Sequence, residues 1–170
     1  MKKSFDQYKF ILSACSKEQT RYFMQKPMYY PGLKSIVSTD GRRMHLWKLE
    51  EYEIVRFGLS DKHVYVDFAK IGKDYKVIAG DVIEEPINVE RVIPENNAPI
   101  DGGIDLDINP DQTVPRFLIN TQIPIALEYF KPLYGVAWEV SKHPDNPGSK
   151  AVIFKYQEFS AVIMPFMINV

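Results

Sequence analysis

The sequence lacks the features that mark several large classes of protein. Cysteine occurs once, at Cys15, so neither an intramolecular disulfide nor a cysteine-rich zinc site can form. No apolar run approaches the ~20 residues that a membrane-spanning helix needs, and the longest, 161–170, is much shorter. Polar residues interrupt the stretch after Lys2 and Lys3, unlike the apolar core of a signal peptide. We therefore expect a cytoplasmic protein without a membrane partner.

Motifs for common catalytic and metal chemistries are also missing. The sequence has no P-loop, no Gly-x-Gly-x-x-Gly, no Gly-x-Ser-x-Gly and no His-Glu-x-x-His. Its histidines, His45, His63 and His143, share no metal-ligand spacing. We expect no catalytic residue, no cofactor and no metal, although an enzyme with unrecognised catalytic residues stays an alternative.

An acidic run at 105–111 resembles the start of a calcium loop. An EF-hand needs glycine at its sixth position and glutamate at its twelfth, where this chain has Pro110 and Arg116. A solvated acidic connector is the better interpretation. Cys15 lies on the apolar face of a predicted helix, which favours an inert buried thiol.

The composition is that of a folded protein. The chain has 170 residues, of which 45% are hydrophobic and 25% charged. A chain of this length buries roughly 70% of its unfolded surface, so it needs no disulfide or metal to fold.

Charge is distributed unevenly along the chain. Residues 1–48 hold ten basic and three acidic residues, a net of +7, which leaves −8 for the rest of a chain whose total is −1. Such asymmetry can mark a face that binds polyanions. The alternative is that a sequence segment does not form one surface patch, and the sequence leaves both open.

Hydrophobic periodicity predicts a helix followed by a strand-rich stretch. Apolar residues at helical spacing, after a capping Ser4, predict a helix over 5–16. Alternating segments bounded by turn residues predict the strands that follow. These are 21–28, 34–38, 43–49, 53–58, 63–70 and 75–83.

The second half begins after a connector rich in proline, glycine and acidic residues, at 84–113. We expect a short strand at 114–119 and a second helix from Asn120 or Thr121 to about Lys131, with Pro124 in its first turn. Three antiparallel strands then follow. They are 135–142, 150–156 and 159–168.

Three separated parts of the sequence carry a family resemblance. They are 16–24 with 36–44 (SKEQTRYFM and IVSTDGRRM), 85–94 (EPINVERVIP) and 162–168 (VIMPFMI). Their order and spacing resemble the beta sliding clamp, the processivity factor of bacterial replicative DNA polymerase. That family has an Arg-Tyr-Tyr-Leu strand before a Val-Ala-Thr-Asp-Gly-His-Arg-Leu turn, an Arg-Arg-Val-Leu-Pro link and a terminal Val-Val-Met-Pro-Met-Arg-Leu.

The resemblance implies an α+β, DNA-clamp-like fold with two helices packed on a curved, mostly antiparallel sheet. The chain is shorter than a clamp, and we expect one condensed clamp-like domain over 1–170. Its front half would be 1–83 and its back half 114–170, joined by the acidic connector 84–113.

The resemblance also implies a non-enzymatic module with a hydrophobic cleft. In the family this cleft takes short clamp-binding peptides of DNA polymerase and other replication proteins. The cleft residues transferred to this chain are Met24, Thr39, Gly41, Arg42, Arg43, Met44, Pro86, Val92, Val162, Met164, Pro165, Phe166 and Met167. Alternatively, 162–168 is an ordinary core strand, in a structural or homo-oligomeric protein that reuses the fold without binding peptides.

DNA is a second partner that the resemblance implies, since the family presents basic helix residues to the phosphate backbone without reading sequence. The corresponding residues here are Lys2, Lys3, Lys9, Lys17 and Lys131. The family's first domain is missing from this chain, Arg42 replaces its histidine, and Met167 replaces an arginine. We therefore expect a monomer or small oligomer rather than a closed ring.

Overall fold

The computed structural model describes residues 5–72, 74–100, 103–106, 110–145 and 150–165. The chain divides into two compact units. The first unit is Gln7–Ile87, and the second unit combines Asn88–Val170 with Met1–Asp6. The chain therefore passes between the units twice, and the second boundary, between Ile87 and Asn88, falls inside the predicted connector 84–113.

The first unit contains a five-stranded sheet whose described pairings are all antiparallel. Its strands are β1 (Met28–Tyr30), β2 (Ser35–Thr39), β3 (Arg43–Lys48), β4 (Val64–Ile71) and β5 (Asp74–Val82). Their spatial order is β5-β4-β1-β2-β3. Met28 pairs with Val37 of β2 and with Tyr65 of β4, so β1 lies at the centre of the sheet.

Helix α1, Gln7–Ser13, confirms the first predicted helix but is shorter than 5–16. Phe10 and Ile11 are fully buried and provide its apolar face. The Ser13 hydroxyl donates to the Phe10 carbonyl at 2.7 Å. Such a local bond competes with continuation of the helix, and the chain turns immediately after Ser13.

Two strands predicted in the first unit are wrong. The segment predicted as a strand at 21–28 begins instead in a 3-10 helix, Gln19–Met24, and β1 starts only at Met28. The segment 53–58 belongs mostly to helix α2, Glu51–Arg56. The N–H of Glu50 donates to Oε2 of Glu53 at 2.9 Å, which satisfies a backbone donor at the start of this helix.

The second unit also carries antiparallel strands. They are β6 (Ala98–Pro99), β7 (Ile104–Asp105), β8 (Ala137–Lys142), β9 (Val152–Tyr156) and β10 (Phe159–Ile163). Their order is β10-β9-β8-β6, and β7 pairs with β8 as well. The last three strands were expected, although residues 166–168 of the predicted strand 159–168 lie outside the described residues.

The helices of the second unit correct another prediction. Helix α3, Pro110–Thr121, covers the segment 114–119 that was expected to be a strand. The expected helix from Thr121 to Lys131 is reduced to α4, Leu127–Phe130. Gln122 has a φ of +56°, outside the helical region, so the chain leaves the helix before Pro124.

The acidic connector contains regular structure. It includes a 3-10 helix, Glu90–Val92, both short strands β6 and β7, and the first residues of α3. Gly103 has a φ of +53°, and a Cβ there would lie 2.4 Å from the carbonyl oxygen of Trp138. Only glycine fits this position, because any side chain would collide with backbone.

The predicted α+β class is confirmed, with more than the two helices expected: α1–α4 lie within the described residues. Among those residues, no helix is long and apolar enough to cross a membrane. The core of the second unit is aromatic, with Phe130, Trp138 and Phe154 buried. Phe5 adds edge-on ring contacts to Trp138, Tyr156 and Phe159.

Candidate functional site

The cleft residues that the resemblance transferred fall into both units. The first unit holds Met24, Thr39, Gly41, Arg42, Arg43, Met44 and Pro86. The second unit holds Val92, Val162, Met164 and Pro165. The last two transferred residues, Phe166 and Met167, lie outside the described part of the chain.

The turn between β2 and β3 is tightly hydrogen-bonded. The Thr39 hydroxyl donates to the Arg43 carbonyl at 2.8 Å and accepts the N–H of Gly41 at 3.0 Å. Oδ1 of Asp40 accepts the N–H groups of Arg42 and Arg43 at 2.9 and 3.0 Å. Gly41 has a φ of +87°, a conformation that favours glycine. The run Thr-Asp-Gly-Arg-Arg therefore fixes its own turn.

Arg43 has intramolecular partners that stabilise this turn. Its Nε donates to Oδ2 of Asp40 at 3.1 Å, and its Nη2 donates to the Ser13 carbonyl at 2.6 Å. Met44 is buried, with 2% of its surface exposed, whereas Arg42 is exposed. Of this group, Arg42 and Gly41 present surface to a ligand.

The remaining residues of the first-unit group are less enclosed. Met24 is half-buried at the end of the 3-10 helix Gln19–Met24, and Pro86 is exposed near the end of the unit. The carbonyl of Met24 accepts the N–H of Ser16 at 2.9 Å. This bond ties the 3-10 helix back to the segment that follows α1.

An open groove of about 510 Å³ lies within the second unit. It contains two of the transferred residues, Val92 and Met164, which are 46% and 38% exposed. Val162 and Pro165 are buried and do not line it. The lining residues are Glu90, Arg91, Val92, Ile93, Pro94, Glu95, Asn96, His143, Lys150, Ala151 and Met164.

The walls of this groove are held by backbone and side-chain hydrogen bonds. The Asn97 amide nitrogen donates to the carbonyls of Ser141 and Ala151 at 3.3 and 3.0 Å, which joins the ends of β8 and β9. Within the described residues, Oδ1 of Asn97 and Nδ1 of His143 are buried without a hydrogen-bond partner. Asn97 and His143 therefore each have a buried polar atom whose hydrogen-bonding capacity no described residue satisfies.

Sequence reasoning missed several groove residues. His143 and Lys150 lie in the connection between β8 and β9, where no periodic pattern identifies a lining side chain. Residues 90–94 were included in the resemblance, but of these only Val92 was assigned to the cleft, and Glu95 and Asn96 follow directly after that segment. The signal for the others lay in their proximity to Val92 along the chain.

The residues transferred for DNA binding are also divided between the units. Lys9 and Lys17 are exposed in the first unit and Lys131 is exposed in the second. Lys2 and Lys3 lie outside the described residues. Neither unit therefore contains all five of these residues.

The basic excess of residues 1–48 is reduced by later parts of the first unit. Lys26 forms an ion pair with Asp67 at 3.0 Å, and Lys34 pairs with Glu51. The whole unit holds 13 basic and 11 acidic residues, a net of +2. This favours the alternative in which the N-terminal charge does not form a large basic patch.

The other candidate chemistry has structural explanations. Burial raises the pKa of the Cys15 thiol to about 12, so Cys15 is unreactive at neutral pH. His45 is fully buried and His63 packs edge-on against Tyr30, with ring centroids 5.0 Å apart. Within the described residues, no group of His, Cys, Asp and Glu side chains could hold a metal ion. The acidic run 105–111 includes residues 107–109, which lie outside them.

Comparison with known proteins finds the fold but no sequence relative. The sequence matches no protein-family model and no curated protein. A structure of the Helicobacter pylori beta clamp bound to a DNA ligase peptide has a TM-score of 0.52 and 11% identity, covering 96% of this chain and 63% of that chain. A Pseudomonas aeruginosa DNA polymerase sliding clamp with ligand has a TM-score of 0.51 and 12% identity, covering 99% and 66%.

The chain thus has a clamp-like fold and spans just under two thirds of the length of these clamps.

Proposed function

We propose that this chain is a non-enzymatic, clamp-like binding module. Its ligand is a short linear peptide of the clamp-binding type, carried by a DNA polymerase or another replication protein. The peptide's apolar side chains enter the groove of the second unit and pack against Val92 and Met164.

The observation that carries this proposal is the shared location of Val92 and Met164. The resemblance selected them from separate segments, and both are exposed apolar residues that line one groove. Methionine adapts its shape to varied partners, and apolar grooves with a polar rim are typical of peptide-binding sites. The fold likeness to a clamp bound to a DNA ligase peptide supports the same ligand class.

A labelled peptide tests the proposal by fluorescence anisotropy. The peptide carries a glutamine followed after two or three residues by a Leu-Phe pair. We expect a dissociation constant in the micromolar range, about −8 kcal/mol. Met164→Ala should weaken binding at least tenfold, since a buried anchor contributes ~2 kcal/mol or more.

Leu127→Ala provides the matched control. Leu127 is an exposed apolar residue of the second unit that does not line the groove, so this variant should bind like the wild type. If the wild-type protein shows no saturable binding up to roughly millimolar peptide, the proposal is wrong.

A structural or homo-oligomeric role is the second candidate, and the position of β5 favours it. Among the described strands, β5 pairs with β4 alone and ends the sheet of the first unit. Exposed strand edges present unpaired backbone groups to a further strand. Light scattering at micromolar concentration should show a monomer or small oligomer. A species of six subunits would instead indicate a ring. Ile78 lies on the exposed face of β5, so Ile78→Lys should reduce any assembly through this edge.

A further inference from the structure

The groove of the second unit combines an apolar lining with unpaired charges. The apolar part of the lining consists of Val92, Ile93, Pro94, Ala151 and Met164. The ionised side chains of the lining are Glu90, Arg91, Glu95 and Lys150, and none of them forms an ion pair with another described residue. These charges are therefore available to a ligand.

The two chain segments that form the lining differ in charge. The segment 90–96 brings two glutamates and one arginine. The segments next to β8 and β9 bring His143 and Lys150, with no acidic lining residue among them. Arg91 offsets part of the negative charge of segment 90–96. Among the lining residues next to β8 and β9, none carries a negative charge that would offset the positive charge of Lys150.

Lys150 and Met164 both line the groove and follow the same end of the β9–β10 ladder. Ile163 of β10 pairs with Val152 of β9, so Met164 and Ala151 follow at the same end of this ladder. Lys150 is the next residue beyond Ala151. An extended peptide advances ~3.3 Å per residue, so a residue adjacent to one packed on Met164 lies within reach of the Lys150 ammonium.

We propose that Lys150 selects peptides with an acidic residue next to the apolar anchor. This inference rests on the proposed function and names the chemistry of its ligand. Charge complementarity at the rim of an interface contributes specificity more than affinity. A peptide with a basic residue at the same position is disfavoured by repulsion from Lys150.

Charge exchange tests the proposal. Three labelled peptides share the apolar anchors and carry Asp, Asn or Lys next to the Leu-Phe pair. Their dissociation constants are measured for the wild type, Lys150→Glu and Lys150→Met at about 50 mM salt, where surface charges are weakly screened. Circular dichroism confirms that each variant is folded. Lys155→Glu is the control, because Lys155 is exposed in the second unit but does not line the groove.

In the wild type we expect the Asp peptide to bind about threefold to tenfold more tightly than the Lys peptide, as for an exposed ion pair. Lys150→Glu should reverse this preference, and Lys150→Met should abolish it, while Lys155→Glu should leave it in place. If the wild type binds the peptides but Lys150→Glu changes the Asp-to-Lys ratio no more than Lys155→Glu does, this inference is wrong and the proposed function stands. If the wild type binds none of the three peptides, both are wrong.

Discussion

His45 lies flat against Phe10 in the interior of the first unit, with ring centroids 4.2 Å apart and the two ring planes inclined by 2°. Its Nδ1–H donates to the Phe10 carbonyl at 2.6 Å. Nε2 is buried and has no hydrogen-bond partner among the described residues. Burial lowers the pKa of His45 from 6.5 to about 3, because a charged ring there would lose its hydration.

This environment predicts destabilisation by acid. Between pH 6.5 and 3 the unfolded chain binds a proton at His45 that the folded chain does not, so stability is full above pH 6.5 and falls as the pH decreases. One proton corresponds to ~1.4 kcal/mol per pH unit in this window. Urea unfolding at pH 7 and 5 measures the loss. NMR isolates the residue: the His45 ring should not titrate above pH 5, and a midpoint near 6.5 would contradict the burial.

Gly103→Ala should destabilise the second unit strongly. The new Cβ would lie 2.4 Å from the Trp138 carbonyl oxygen, in addition to the cost of a φ of +53°. Gly72 is the control for the backbone term, since its φ is +63° and nothing lies within 4 Å of its Cβ position. We expect Gly72→Ala to cost about 1 kcal/mol and Gly103→Ala at least twice that. Equal shifts in thermal midpoint would contradict the steric argument.

Arg43→Met should lower the free energy of unfolding by roughly 2–3 kcal/mol, because it leaves Asp40 without its ion pair and the Ser13 carbonyl without its donor. Arg42→Ala should change it by less than ~0.5 kcal/mol, since this neighbouring arginine is exposed. Urea titration compares the two variants. A larger effect at Arg42 would show that the turn is not held as described.

DNA binding should be weak, independent of sequence and sensitive to salt. The exposed Lys9 and Lys17 provide few phosphate contacts, and the first unit has a net charge of only +2. Replacing both with Glu should reduce low-salt binding, while Lys70→Glu, an exposed change elsewhere in the unit, should reduce it less. Anisotropy with a labelled duplex at about 25 and 150 mM salt measures this. Sequence-specific binding at the higher concentration would contradict it.

Strand patterns in the sequence were informative for two neighbouring strands of the first unit. The predicted strand 43–49 corresponds to β3, Arg43–Lys48, and 34–38 differs from β2 by one residue at each end. In both cases β-branched and apolar residues agree with the local structure. The three C-terminal strands could be predicted in the same way, whereas the clamp-like fold class was implied by the family resemblance.

The helices were harder to predict because local patterns conflicted with tertiary packing. Tyr52 and Ile54 alternate with charged residues as in a strand, yet only Ile54 is buried and the segment is helical. In α3, Val114 and Phe117 share a buried helical face despite Pro115, which removes a backbone donor and disfavours a helix. Burial of one face outweighs propensity in these two segments.

The site could be predicted only in part. Family-like segments pointed to Val92 and Met164, whose side chains line the groove. They gave no information on Lys150 or His143, because loop residues carry no periodic signal and reach the groove only through the pairing of β8 with β9.

The contacts of Phe5 have a consequence for folding. Its ring packs on Trp138, Tyr156 and Phe159, at centroid distances of 5.7, 5.6 and 5.1 Å. The second unit is thus assembled from residues on both sides of the first unit, which is continuous along the chain. During synthesis the first unit has all of its residues while the partners of Phe5 are still to be made. Loop-closure entropy opposes such distant contacts until late, so we expect the first unit to form early and the second to be completed only when Phe159 has joined its core.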